Sequence, residues 1–360
     1  MINFIIRRIF YGILVLFGVL ILVFLLFNAL PGDAARLMLS QRADAQSIQI
    51  IHKDLGLDKP LPTQFVMYFN DLSPLSIYDD KTPTSAVYLD TAKYSNYVKL
   101  FRVSDRKVLI LKYPFLRRSY QSRRKVIDII TSTLPNTAVL AVTAIVFASI
   151  FGIFLGIIAA LLKDSIFDRI SVILSVLGLA GPSFFVGLIF AWLFGHVLSK
   201  YTGLNTVGNL YSIDDYGNGR YLDLKNLILP ALTLGIRPLA IIVQLTRSSM
   251  LEVLSQDYIR TAFAKGLKLR KIITKHALKN ALNPVVTAIS GWFASLIAGA
   301  VFVEYIFGWE GIGKEVIEAL EKYDLPVVMG VVLVTSLLFV IINITVDIIY
   351  ALLDPRIRLK

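Results

Sequence analysis

Long apolar runs broken by short charged stretches organise this 360-residue chain. Charge-free stretches fall at Ile9–Leu30, Asn136–Leu162, Ile170–Ser199, Val285–Val303 and Leu325–Val346. Each is close to or above the roughly 20 residues that a helix needs to cross roughly 30 Å of hydrocarbon. A sixth run, Leu227–Thr246, is apolar apart from Arg237 and Gln244. Helices are predicted for all six, because a lipid-exposed span must satisfy every backbone group within itself. The pattern describes an all-α membrane protein with six transmembrane helices. Its predicted parts are residues 1–30 (N-terminus and first span), 31–133 (insert) and 134–353 (core). Within the core the spans are placed at 136–162, 170–199, 227–246, 284–304 and 326–353, with a loop at 247–283; the tail is 354–360.

Charge sets the orientation. The loop Arg247–Asn283 carries eight Lys or Arg against two acids, whereas Tyr305–Leu325 carries two against five. Basic residues collect on the cytoplasmic side, so the first loop is inside and the second outside. Arg7, Arg8 and the tail residues Arg356, Arg358 and Lys360 then also fall inside, as six spans require. The same rule accounts for the net charge of +12 without a nucleic-acid partner. Composition agrees: 17% charged residues is low against the roughly 25% of soluble domains. Arg7-Arg8 before an apolar run also resembles a cleaved signal peptide. Ile9–Leu30 is longer than the roughly 7–15 residues of a signal core, however, and Leu30-Pro31-Gly32 is a poor cleavage site. The chain has no cysteine, which excludes disulfides and thiol chemistry.

Residues 31–133 form an extracytoplasmic insert, punctuated by Pro60, Pro62, Pro74, Pro83 and Pro114. Patches such as Val108–Leu111 predict short strands and a small folded unit there, a surface for a partner or a spacer. Elsewhere the punctuation is helical. Pro135-Asn136 is expected to start the second span, Asn283-Pro284 to cap the fifth, and Asp354-Pro355 to stop the last. Gly152 and Gly156 form a Gly-x-x-x-Gly pair suited to close helix approach. Gly178, Gly181 and Pro182 are expected to loosen or kink the third span.

Asp257–Pro284 has seven Lys or Arg against one acid, yet it is apolar at helical spacing. Ile259, Ala262, Phe263, Gly266 and Leu267 make one stripe; Leu269, Ile272, Ile273, Ala277 and Ala281 make a second. The stripe slips at Gly266-Leu267-Lys268, where glycine allows a turn. A helix–turn–helix between membrane spans has the shape of a coupling element for a cytoplasmic partner; the plainer alternative is a basic helix on the membrane surface.

At these residues the chain resembles the membrane subunits of binding-protein-dependent ABC importers, and in particular the first permease subunit of the dipeptide/oligopeptide branch. The matching residues are Asp257, Tyr258, Ile259-Arg260-Thr261-Ala262, Ala264-Lys265-Gly266, His276-Ala277-Leu278, Asn280-Ala281 and Pro284. The Glu and Ile of the general importer motif are absent. Further matches are Phe4 to Arg8, Leu30-Pro31-Gly32-Asp33, Leu55-Gly56-Leu57-Asp58, Leu229-Pro230-Ala231-Leu232, Thr246-Arg247 with Met250, and Leu352 to Arg356. The resemblance implies the ABC type-1 importer permease fold and a function in alternating-access import of peptides. The same scaffold also suits nickel or another small solute. It further implies a second permease subunit, two ATPase subunits that use ATP and Mg²⁺, and an extracytoplasmic solute-binding protein, in contact with membrane lipid. No cofactor is then expected on this chain, which would be a non-catalytic subunit of a bacterial cytoplasmic membrane.

Rival chemistry finds little support. Gly308–Glu315 has Gly-x4-Gly-Lys spacing, but Glu315 replaces the hydroxyl that a phosphate loop needs for Mg²⁺. His52, His196 and His276 are scattered, and no Gly-x-Ser-x-Gly occurs. A secondary transporter would call for a chain of intramembrane acids, and only Glu304 and Asp347 stand near spans. Asn343 and Asp347 are candidate subunit contacts. Arg237 is the one charge near mid-span, where it costs about 2.5–3.5 kcal/mol on insertion scales. It is a candidate pathway cation able to meet a peptide carboxylate; the alternatives are pairing with Glu304, Asp347 or a carbonyl, or snorkelling.

Overall fold

The computed structural model describes residues 2–28, 46, 48–49, 52–53, 56–82, 85, 87–90, 94, 97–214 and 219–353, and there the apolar runs are helical. Leu30-Pro31-Gly32-Asp33 and Asp354-Pro355 lie outside the described residues. Four helices contain stretches long and apolar enough to cross a membrane: α1 (Ile2–Asn28), α3 (Val126–Leu161), α7 (Lys225–Leu254) and α14 (Leu325–Leu353). Between α3 and α7 lie α4 (Ile166–Ala180) and α5 (Ser183–Phe190), the latter continued by a π-helical turn over Ala191–Val197. The helix α11 (Asn283–Gly299) is apolar but shorter.

Three local expectations are corrected. The helix α3 starts at Val126, ten residues before Asn136, and Pro135 lies inside it. The preceding turns are held by buried Val126, Ile129 and Ile130, so the helix persists through the proline. Residues 170–199 are not one continuous helix: two helices, bent by 109°, meet at Gly181-Pro182. Gly181 is extended at ψ 133°, the conformation forced on a residue before proline, and Pro182 starts the next helix. Asn283 does not cap α11: Leu282, the residue between α10 (Leu278–Ala281) and α11, is itself in helical conformation, and no side chain caps the helix.

The chain divides into two compact units. One contains Thr133–Ile317 with Met1–Ile13 and Thr335–Lys360. Its core is the contact of α3 with α7 and α11, through Leu140, Ala144, Ala148, Leu234, Ile242, Val285 and Leu296. The glycine pair is the closest point: a Cβ on Gly152 would lie 2.7 Å from Ile242, and one on Gly156 2.6 Å from Thr246. Here α3 and α7 touch backbone to side chain.

The other unit contains Leu14–Ser132 and Glu318–Val334. It holds α2 (Leu61–Leu72) and a three-stranded antiparallel sheet of β1 (Leu75–Asp79), β2 (Tyr97–Arg102) and β3 (Lys107–Lys112), in the order β1-β3-β2. Tyr78, Leu89, Tyr94, Val108 and Ile110 are its core. That core is also polar: the Tyr94 hydroxyl donates to the Asp71 carboxylate, and Arg117 Nε reaches the same carboxylate at 3.2 Å. Buried Lys112 donates to the Asp71 carbonyl at 2.6 Å while its ammonium sits 5.1 Å from the Tyr94 ring centre. Buried cations are tolerated when paired and faced by aromatic rings.

Candidate functional site

The basic segment folds as a seat and a knob. The helix α8 (Asp257–Ala264) ends at Lys265, and Gly266 turns the chain at φ 71°. The chain then runs through α9 (Leu269–Lys271), a π turn over Ile272–Ala277, and α10. Ile259, Ala262, Ile272, Ala277 and Ala281 are buried against Met250 of α7 and Ala160 of α3. Asn280 Nδ2 donates to Tyr258 Oη at 2.9 Å, tying the second helix to the first. His276 is half-buried beside this contact region, and Pro284 lies in the first turn of α11.

Three residues of the predicted stripes are corrected: Gly266 is exposed, and so are Phe263 and Leu269, at 50% and 51%. Phe263 and Leu269 flank the turn, and the slip at Gly266 rotates them off the buried face. With Tyr258, Arg260, Thr261, Ala264, Lys265, Lys268 and Arg270 they make an exposed surface. Its charge is mostly positive: the exposed Asp257 lies 3.5 Å from the exposed Arg260, and Lys265, Lys268 and Arg270 have no acid beside them in sequence. No atom lies within 4 Å of a Cβ placed on Gly266. Apolar side chains ringed by cations on a rigid turn are the makings of a docking surface.

A second clamp fixes the base of this segment. Asp168, in the first turn of α4, takes Arg247 Nε at 2.5 Å and Arg247 Nη2 at 2.7 Å. The bidentate pair ties α4 to α7 just before the basic segment leaves it. Sequence reading missed it: the partners are 79 positions apart, and neither stands out in its own segment.

Arg237 is half-buried midway along α7 and, among the described residues, has no hydrogen-bond or ion-pair partner. Pairing with Glu304 or Asp347 is not what the fold provides. Asp347 binds Arg8 at 3.1 Å, and the Glu304 carboxylate takes the amides of Gly313 at 2.7 Å and Lys314 at 3.3 Å. Asn343 donates to Phe339 O of its own helix at 2.7 Å.

The same Glu304 explains the phosphate-loop look-alike. The first turn of α13 (Ile312–Glu321) does present amides, those of Gly313 and Lys314, but to the chain's own buried carboxylate. A Cβ on Gly311 or Gly313 would collide with it, so the glycines make room for Glu304. Trp309 Nε1 donates to Asn136 O at 3.1 Å and Ile312 N to Thr137 Oγ1 at 2.8 Å, locking the turn to α3.

An apolar helical core whose helices run on into an exposed, mostly basic turn is the form of a membrane component. The chain belongs to the family of binding-protein-dependent transport system inner membrane components, whose model matches residues 152–359; the model of its N-terminal part matches residues 1–86. Among its relatives is the glutathione transport system permease protein GsiC of Escherichia coli K12, 36% identical over 360 residues and covering all of both chains. Another is the di/tripeptide transport system permease protein DppB of Pseudomonas aeruginosa, 36% identical over 376 residues and 99% of both chains. The chain is accordingly a non-catalytic permease component of an ABC importer, and an inner-membrane protein.

Proposed function

We propose that this chain forms half of the translocation pathway of a peptide importer, paired with a second, similar permease subunit. Both termini and the 247–283 loop face the cytoplasm, and the chain crosses the membrane six times, with the bent α4–α5 pair counted as one span. Two ATPase subunits dock on Asp257–Pro284, and a solute-binding protein delivers substrate outside. Substrate class is supported by the relatives: one is named for glutathione and one for di- and tripeptides, and both align over essentially the whole chain.

The observation that carries the coupling role is the exposed Phe263–Gly266–Leu269 turn on a fully buried base. Closure of the ATPases would push on Arg260, Thr261, Ala264 and Lys265, and the Ile259 and Ala262 contacts would pass that push to α3 and α7. Gly266→Asp tests it, because its Cβ would meet no atom within 4 Å and Asp is among the residues that tolerate a φ of 71°, at a modest cost in strain. The wild-type chain should co-purify with its ATPases and show ATP-dependent peptide uptake in proteoliposomes; the variant should assemble with the second permease but lose the ATPases. Uptake by the chain alone without ATP would overturn the importer reading in favour of a secondary transporter.

A further inference from the structure

Much of the middle of α7 is packed: Pro230, Thr233, Leu234, Gly235, Pro238, Ala240, Ile242, Val243 and Thr246 are buried. Of the positions left part-exposed there, Leu232, Ile236, Leu239, Ile241 and Leu245 are apolar, and one line is polar. At 3.6 residues per turn, positions i+7 and i+11 each fall within about 20° of position i. Arg237, Gln244 and Ser248 occupy those positions; the first two are half-buried and the third is exposed. Ser255, the C-cap of the helix, continues the line and is also exposed. Apart from Arg237 and Gln244, the run Leu227–Thr246 contains no charged or amide side chain, and both fall on this line.

Lipid is a poor neighbour for that stripe. Arg237 lies about ten residues from each end of the run, roughly 15 Å along the helix, too far for its side chain to reach either interface. Among the described residues neither Arg237 nor Gln244 has a hydrogen-bond partner, and the carboxylates of Asp168, Glu304 and Asp347 are engaged elsewhere. Intramembrane polar groups without an in-chain partner face water or another protein.

We propose that Arg237, Gln244 and Ser248 form a water-accessible wall of the translocation pathway that attracts carboxylate-bearing solutes. This rests on the permease reading and adds the wall and the chemistry of its ligand. The guanidinium supplies a fixed positive charge with two parallel donors, the geometry that a carboxylate fits. Gln244 and Ser248 offer exchangeable donors and acceptors below it, so an anion passing Arg237 is rehydrated or handed on and not trapped.

The cysteine-free chain makes the test clean. Gln244→Cys and Ser248→Cys are introduced singly into the assembled transporter in lipid nanodiscs. Each is exposed to small, membrane-impermeant thiosulfonate reagents, one anionic and one cationic. Ile150→Cys, on an exposed apolar position of α3, is the lipid-facing control. Both stripe positions should react and the control should not. In Gln244→Cys the anionic reagent should be favoured, and adding Arg237→Gln should cut the anionic-to-cationic rate ratio roughly twofold, since the charge lies about 10 Å along the helix, near one Debye length away. Arg237→Lys should keep the ratio near the native value. Silence at positions 244 and 248 would overturn the wall, showing a dry subunit contact. Labelling with an unchanged ratio in Arg237→Gln would overturn the anion attraction. Both failures are distinct from failure of the importer reading, because ATPase co-purification is scored on the same preparation.

Discussion

Gly156 shows how much one missing side chain decides. Its α-carbon stands so close to α7 that a Cβ would meet Thr246 at 2.6 Å and the Val243 carbonyl at 2.8 Å. Gly156→Leu should therefore force the helices apart and lower stability by about 1–3 kcal/mol, the usual cost of overpacking. Thermal unfolding in detergent checks it, with Gly18→Leu as control, since a Cβ placed on Gly18 would meet no side chain or neighbouring element within 4 Å. Tyr94 gives a pH signature at the same scale. Burial, and then the neighbouring Asp71 charge, push its phenol well above its ordinary value of 10.0. A raised folded value means stability is fully present below about pH 10 and is lost as pH rises beyond it. Absorbance near 295 nm should show Tyr94 still neutral at about pH 11 in the folded protein and ionised once it unfolds; Tyr94→Phe should shrink that difference by one tyrosine, leaving the part due to Tyr68 and Tyr78, which burial also pushes up. The Gly-x-x-x-Gly pair was visible in the sequence as a spacing. What it packs against was not, because Ile242 and Thr246 belong to another helix.

The basic segment is where the element scale rewards and misleads in turn. Periodicity placed two helices and a glycine turn, and Gly266 does turn at φ 71°. It also put Phe263 and Leu269 in the buried stripes. A stripe count treats each helix as ideal, whereas the chain reverses at Gly266 and passes through a π turn at Ile272–Ala277, which moves residues near the junction to the other side. The two faces make opposite predictions. Ile259→Asp places a charge in a fully buried seat and should unfold the segment at a cost above about 3 kcal/mol. Phe263→Asp should leave folding within about 0.5 kcal/mol, as for ordinary surface changes, yet weaken ATPase binding at least about tenfold. Thermal unfolding and ATPase titration of the two variants separate seat from knob; equal loss of stability in both would refute the assignment.

For the molecule as a whole, the contacts hardest to foresee join distant stretches of sequence. The loop Arg117–Lys125 carries five cations in nine residues, which reads as a flexible, solvated run. Instead it is wrapped around buried Asp324, 205 positions downstream of Ser119. The carboxylate accepts from the Ser119 hydroxyl and from the amides of Tyr120 at 3.2 Å and Gln121 at 3.4 Å, while Gln121 Nε2 reaches the Lys322 carbonyl at 3.0 Å. Arg117 and Arg123 are held at positive φ, 66° and 61°, a strain that the surrounding bonds must offset. Local composition carries no trace of this, because Asp324 looks like one more acid in an acidic loop. Asp324→Ala removes the acceptor of all three donors and should release the loop, at about 2 kcal/mol if two of the bonds go unreplaced. Trypsin reads the release directly: cleavage at Arg118, Arg123, Arg124 and Lys125 tracks the open population, so it should speed up roughly thirtyfold. The core of α3, α7 and α11 is built from other residues, so the fragments should stay folded there and ATPase co-purification should survive. An unchanged cleavage rate would show that the loop is held by something other than that carboxylate.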